Sequence, residues 1–483
     1  MVFSDLFFLF VFLPAFMLLY WTASAVDRRL LTRHDSDGPS HLGRNIVLVT
    51  FSLLFYAWGE PIYVFLMLIS VAVNYFAGMM ISSAHHYRRA TLIAGLTANI
   101  AILATFKYLG FFAGILRDIG LNVRVPEIAL PIGISFYIFQ SISYLVDVYR
   151  MEAPAQRRYG DLLLYISMFP QLIAGPIVRY TTVANEINNR IVTAADISDG
   201  IFRFLIGLGK KVILANQFSE IADQFLKNGL DSLSTAGAWI GVVAFTFQIY
   251  FDFSGYSDMA IGIGRCLGFH FNENFDHPYC SRSITEFWRR WHMSLGSFFR
   301  DYVYIPLGGN RAHQFLNILV VWVLTGMWHG ASWNFIIWGL YFGLIVVVEK
   351  FTIIPWRRHI PRPLLHVYSL LLIVIGWGIF YFDDLGRMGV FFSAFIGHAE
   401  LLNDFTAESA IFNHFWLWMA AIVFCMPVRR LCASLPGRVF SHGSATALNI
   451  SLASRIIISA VALIVSVALL IGATNNAFLY TRF

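Results

Sequence analysis

Apolar residues run along this chain in long stretches separated by short polar connections. The runs cover approximately residues 2–23, 45–58, 62–82, 91–112, 129–148, 161–178, 199–217, 235–254, 314–328, 333–350, 366–382, 411–427 and 453–473. A helix crossing the hydrocarbon core needs roughly 20 apolar residues. Several runs are shorter, and these predict re-entrant or half-length helices, because irregular backbone at membrane depth is tolerated only inside protein or around a cavity. The pattern predicts an all-α, polytopic membrane protein with about 11–13 transmembrane, re-entrant and interfacial helices.

Between Ser281 and Gln314 the pattern changes. Trp288, Trp291, Leu295, Phe298 and Tyr302 recur at spacings of three and four, while Arg289, Arg290, Ser294, Ser297, Arg300 and Asp301 fall on other faces. This predicts an amphipathic helix lying at the membrane surface. Pro306 and the turn Gly308-Gly309-Asn310 mark its end.

Composition agrees: 13% of the 483 residues are charged, against roughly 25% in soluble domains. No polar stretch is long enough to fold separately, so one integral domain over 1–483 is expected, divided into 1–120, 121–350 and 351–483. In the first run Ala23-Ser24-Ala25 resembles a cleavage site, but the early charge is Asp5 and Arg28 and Arg29 follow the run, so an uncleaved span is predicted. Cys266, Cys280, Cys425 and Cys432 lack metal-site spacing, and free thiols are expected, with neither a disulfide framework nor a metal site.

The net charge of +6 could suggest a nucleic-acid ligand, but the basic residues cluster in connections: Arg28, Arg29, Arg33 and Arg44; Arg88 and Arg89; Arg150, Arg157 and Arg158; Arg282, Arg289, Arg290, Arg300 and Arg311; Lys350, Arg357, Arg358 and Arg362; Arg429, Arg430 and Arg438. Such clusters set orientation by the positive-inside rule. They predict a cytoplasmic 27–44 loop, an N-terminus outside and no nucleic-acid partner. Gly262-Ile-Gly264 forms no nucleotide loop, and there is no Walker lysine.

The candidate chemistry lies elsewhere. Trp328-His329-Gly330 stands between apolar runs, followed by Ser332, Trp333 and Asn334, and an ionisable residue at membrane depth is a functional-site hypothesis by default. His292, on the predicted interfacial helix, is the second candidate, and both imidazoles could face one cavity if that helix folds beneath the core. Asp252 and Asp258 are also costly in apolar surroundings. Either they support the site by orienting a histidine or they are structural partners of Arg265, Arg289 or Arg290. Gln171 and Lys107 have weaker claims.

The segments Glu286–Leu295 (EFWRRWHMSL), Arg300–Arg311 (RDYVYIPLGGNR) and Thr325–Asn334 (TGMWHGASWN) resemble the signature of the membrane-bound O-acyltransferase family. Within it they are similar to the bacterial polysaccharide branch that includes alginate O-acetyltransferases. Met1–Asp5, Pro131–Tyr137, Phe169–Pro176, Phe251–Ala260, Phe275–Tyr279 and the ending Phe478–Phe483 extend the likeness over nearly the whole chain. Many eukaryotic relatives carry asparagine where this sequence has His292, as the bacterial branch does.

The resemblance implies transfer of an acyl group from a thioester to a hydroxyl. An imidazole held neutral can take the hydroxyl proton, and His329 is assigned that role. The oxyanion needs donors, for which His292, Asn334 or backbone amides around Gly330 are candidates, with Trp328 in support. No bound cofactor is expected. The acyl donor would be acetyl-CoA or an acyl thioester carrier, reached from the cytoplasm. The partners would be the lipid bilayer and periplasmic acetyltransferase proteins, the location the bacterial inner membrane, and the product an O-acetylated exported polysaccharide such as alginate. Another glycan, such as cellulose, and a D-alanylation-type transferase remain alternatives. A transporter without acyl chemistry would be expected to show inverted repeats, and none is visible.

Overall fold

The computed structural model describes residues 1–27, 41–83, 86–126, 128–173, 175–353, 359–428 and 445–472, with side chains in the last segment from 452. Arg28, Arg29, Arg33, Arg357, Arg358, Arg429, Arg430, Arg438, Cys432 and Phe478–Phe483 lie outside them. The described secondary structure is helical. Eight described helices are long and apolar enough to cross a membrane: Phe8–Val26, Leu42–Gly59, Tyr63–Ser83, Arg88–Asp118, Thr235–Cys266, Trp333–Thr352, Arg362–Tyr381 and Leu452–Gly472. A pair bent by 62°, Phe405–Phe412 and Phe415–Cys425, makes a ninth if counted as one span. The chain is thus a multi-pass membrane protein. It divides into two compact units, one of residues 1–204 and 256–272 and the other of 205–255 and 273–483.

In the first unit, buried polar groups find partners across helices. Asn74 and Asn99 exchange amide hydrogen bonds, each Nδ2 donating to the other's Oδ1 at 3.1 and 2.8 Å, while the same Nδ2 atoms also reach the Ser70 and Gly95 carbonyls. Interhelical amide pairs of this kind suit a medium in which water cannot satisfy them. The predicted span 161–178 is not one helix. Tyr159–Ser167 ends at Met168, Phe169–Leu172 adds one turn, and non-helical backbone follows.

The break has local causes. Pro170 has no N–H to continue the ladder, and Gly175 lies so close to the preceding turn that a Cβ there would sit 2.6 Å from the Gln171 Cα. The freed Phe169 N–H donates to Ser52 Oγ at 3.1 Å. The Phe169 ring then packs among Phe3, Phe8, Phe12, Phe16 and Phe55, with centroids 5.1–6.3 Å away.

In the second unit, Gln314–His329 and Trp333–Val348 form an antiparallel pair. Gly326 and Gly339 face each other across it, each where an added methyl would overlap the partner backbone, at the Phe335 and Trp322 carbonyls. Close backbone approach through small residues substitutes for the hydrophobic drive that lipid cannot supply. Trp288, Trp322, Trp338 and Phe342 fill the space beside this crossing with near-perpendicular ring contacts.

The predicted surface helix of 281–314 is broken in two. Ile284–Arg290 ends at Trp291, His292 takes a left-handed φ of 43°, and Met293–Phe299 begins beyond it. Its N-terminus is tied down by Glu349. That carboxylate, fully buried, accepts from Ile284 N at 2.6 Å, Thr285 N at 2.7 Å and Thr285 Oγ1 at 2.7 Å.

Glu349→Ala strands two backbone N–H groups in the interior, at about 1–3 kcal/mol for each unsatisfied buried group. The expected outcome is a clear fall in the thermal unfolding midpoint of the purified, lipid-reconstituted protein, larger than for Glu349→Gln, which keeps one acceptor oxygen.

Candidate active site

The break at His292 arises from a segment distant in sequence. Residues 273–276 lie alongside it and take over the hydrogen bonds the helix gives up: Asp276 N donates to the Arg290 carbonyl at 2.9 Å, and Met293 N donates to the Asn274 carbonyl at 3.0 Å. Asn274 also caps the second helix, its Oδ1 accepting from Ser294 N at 3.3 Å and Ser294 Oγ at 2.9 Å. His292, two per cent exposed, brings Nδ1 to 3.1 Å from that same oxygen. Its other nitrogen, Nε2, is buried with no hydrogen-bond partner among the described residues. Burial pushes the His292 imidazole down from 6.5 to about 3, because the cation would lose its hydration. His292 is therefore a neutral ring at physiological pH.

His329 is the last residue of its helix, and Gly330 continues with extended backbone. A Cβ at Gly330 would overlap the Phe335 ring, so a larger residue after His329 would force that buried ring to shift. The His329 ring is buried and boxed edge-to-face by Trp328, Trp338 and Phe380, with centroids 4.9, 5.0 and 5.1 Å away. Trp328 is also a ring neighbour of His292, at 5.6 Å, and Phe253 meets His292 from another side at 4.6 Å and 89°. The two predicted histidines thus both contact one indole, His329 in an aromatic box and His292 with aromatic rings on one side and the Asn274–Ser294 cluster on the other. Apolar walls that exclude water lower the effective dielectric and strengthen any charge or dipole interaction made inside them.

The other candidates have partners of their own. Asn334, fully buried, spends Nδ2 on the Phe380 carbonyl at 3.2 Å, tying Trp333–Val348 to Arg362–Tyr381. Asp252 and Asp258 take basic partners other than those expected. Asp252 pairs with Lys211 at 2.8 Å, both nearly inaccessible, and Asp258 pairs with Arg203 at 2.8 Å. Arg265 instead meets Asp199 at 3.1 Å and Arg290 meets Glu286 at 2.8 Å. Six residues of helix turn by roughly 240°, so the two aspartates address different faces. Lys107 places Nζ 3.4 Å from Ser135 Oγ, and Gln171 donates to the Tyr165 carbonyl. Cys266, Cys280 and Cys425 are free thiols.

Sequence reasoning missed Asn274, Lys211 and Glu349, whose partners lie 18 residues (His292), 41 residues (Asp252) and 65 residues (Ile284) away in the chain. The run Glu273-Asn274-Phe275-Asp276 is polar between apolar stretches, which was the one available signal for the first.

The sequence model of the membrane-bound O-acyltransferase family matches residues 55–386. The chain is 42% identical over 396 residues to the Probable alginate O-acetylase AlgI of Azotobacter vinelandii, covering 80% of this chain and 76% of that protein. It is 36% identical to the peptidoglycan O-acetyltransferase of Helicobacter pylori, over 72% of this chain and 70% of the other. The teichoic acid D-alanyltransferase of Bacillus subtilis is 28% identical over 46% of this chain and 59% of its own length.

The depressed His292 value has a sign that can be tested. Between about 3 and 6.5 the unfolded chain binds a proton at this ring and the folded chain does not, so this group's contribution makes stability fall as pH drops through that window, with a slope of at most about 1.4 kcal/mol per pH unit. Thermal unfolding from pH 7 to pH 4.5 is expected to show a shallower pH dependence in His292→Gln than in the parent.

Proposed function

The chain belongs to the membrane-bound O-acyltransferase family, and on that premise we propose that this integral-membrane acyltransferase moves acetyl groups for the O-acetylation of an exported polysaccharide, with alginate as the leading acceptor. The reading rests on one observation above all: His329, at the end of its helix, and His292, at the break of another, flank Trp328 in a buried aromatic setting. The likeness to alginate O-acetylases supports the choice of polymer.

In this reading an acceptor hydroxyl oxygen attacks the carbonyl carbon of an acyl thioester. His329 takes the hydroxyl proton as the new C–O bond forms. The tetrahedral intermediate collapses with cleavage of the C–S bond, and the proton passes from the imidazolium to the departing sulfur. Backbone amides around Gly330 and the remaining Asn334 N–H are the candidate donors to the oxyanion, each such donor being worth about 10²–10³ in rate. Dryness matters to both steps, because preorganised donors act most strongly where water is excluded.

The acyl group would come from acetyl-CoA or an acyl thioester carrier on the cytoplasmic side and be passed to a periplasmic acetyltransferase partner. The setting is the bacterial inner membrane with the N-terminus in the periplasm, an orientation supported by the clusters of arginine. A second acceptor class, peptidoglycan, is favoured by the Helicobacter relative, at lower identity.

The test is complementation of an alginate-producing strain that lacks its own membrane acetylase, with acetyl ester measured on the secreted polymer. The parent chain is expected to restore acetylation, and His329→Ala to lower it by about 10²-fold or more at unchanged membrane abundance. Full acetylation by His329→Ala would overturn the assignment of the base. Acetylation of peptidoglycan with none on alginate would overturn the acceptor.

A further inference from the structure

One group near the candidate site has a built environment that the acyl-transfer reading leaves unused. Asn274, Ser294 and His292 form a buried cluster, at 1, 7 and 2% exposure. Four polar atoms converge within it: Asn274 Oδ1, Ser294 N, Ser294 Oγ and His292 Nδ1. A backbone N–H can only donate, so the side-chain atom facing Ser294 N must be the amide oxygen of Asn274 and not its nitrogen. An amide oxygen has no proton to give. The His292 nitrogen 3.1 Å from it must therefore be the protonated one, and Nε2 is left with a bare lone pair.

We propose that Asn274, with Ser294, is a positioning residue that holds His292 as the Nδ1–H tautomer, so that Nε2 serves a bound substrate as a hydrogen-bond acceptor and not as an oxyanion donor. The inference rests on the acyl-transfer reading of the site and narrows it, since it removes His292 from the set of candidate donors. A buried acceptor left unsatisfied costs about 1–3 kcal/mol, and Nε2 has no protein partner among the described residues. The group that satisfies it must bring an N–H or O–H, which both the acceptor hydroxyl and the amide-bearing arm of a pantetheine thioester carry. The low affinity of the buried ring for protons keeps the lone pair available at neutral pH.

A purely structural account is that Asn274 exists to cap Met293–Phe299. That account explains the contact to Ser294 N but is indifferent to the protonation of His292. The ring's own geometry argues for more. His292 holds a left-handed φ of 43°, a conformation that costs a non-glycine residue roughly 1–2 kcal/mol, and it is the backbone arrangement that brings Nδ1 beside Asn274.

The experiment uses the full chain in lipid bilayers with ¹⁵N-labelled histidine, the His292 signals being identified by their loss in His292→Gln. The expected spectrum has a protonated, pyrrole-type Nδ1 and an unprotonated, pyridine-type Nε2. In Asn274→Leu the two forms should mix, and acetylation should fall by about 10²-fold. Asn274→Asp keeps an acceptor for both Nδ1–H and Ser294 N–H. It should preserve the tautomer and most of the activity. Because the added carboxylate stabilises the imidazolium, it should also move the acid limb of the pH–activity profile to higher pH.

A parent spectrum with Nε2 protonated, or full acetylation by Asn274→Leu with the tautomer unchanged, overturns the inference. Lost activity with the parent tautomer intact in Asn274→Leu assigns Asn274 to capping alone and overturns it as well. The tautomer is read without turnover. A failure of the acyl-transfer reading, shown by an active His329→Ala, is therefore distinguishable from a failure of this one, in which His329→Ala is inactive and the His292 spectrum is wrong.

Discussion

A backbone N–H or C=O that leaves its helix in a lipid-surrounded protein must find a partner within the protein, because the hydrocarbon offers none. Three interruptions among the described residues show how it is met. Where the helix stops at Met168, Ser52 receives the Phe169 N–H. Where it stops at Trp291, the 273–276 segment supplies Asn274 as an acceptor and Asp276 as a donor. Where Ile284–Arg290 starts, Glu349 reaches in from another helix to accept two backbone N–H groups. The same constraint governs buried side chains, and it is met by the Asn74–Asn99 exchange and by the Lys211–Asp252 pair.

The constraint also shapes the chemistry. His292 Nε2 is one of the buried side-chain atoms without a hydrogen-bond partner among the described residues, and it belongs to a ring whose other nitrogen is held by Asn274. An environment of indole and phenyl rings disfavours an imidazolium and favours a neutral base. The two candidate histidines are buried, and a site shielded from water is the condition under which oriented dipoles stabilise a developing oxyanion. Breaking a helix at His292 carries a local cost in backbone strain, offset by hydrogen bonds that orient the ring.

The relatives span different acyl acceptors: alginate, peptidoglycan and teichoic acid. That spread fits a scaffold in which the proposed proton-transfer and donor groups sit in one compact unit. The aromatic packing around Trp288, Trp322 and Trp338 fixes the helix pair that ends in His329, and it does so without reference to the acceptor.

Much of this protein follows from sequence alone. Continuous apolar runs fix the class, since stretches near the thickness of the hydrocarbon core have few other stable fates, and residues around His292 and His329 carry the family likeness. His329 stood out because an ionisable group between apolar runs needs no structure to look expensive. Tertiary structure decided the rest. The helix predicted across 281–314 breaks because of Asn274, which no periodicity in that segment encodes. Asp252 chooses Lys211 over the arginines nearer the surface helix, and the tautomer of His292 depends on which atom of a distant amide faces it. Local pattern records which faces are apolar. Which polar groups meet inside depends on the path of the whole chain, and in a protein surrounded by lipid those meetings decide both where helices end and which nitrogen keeps its proton.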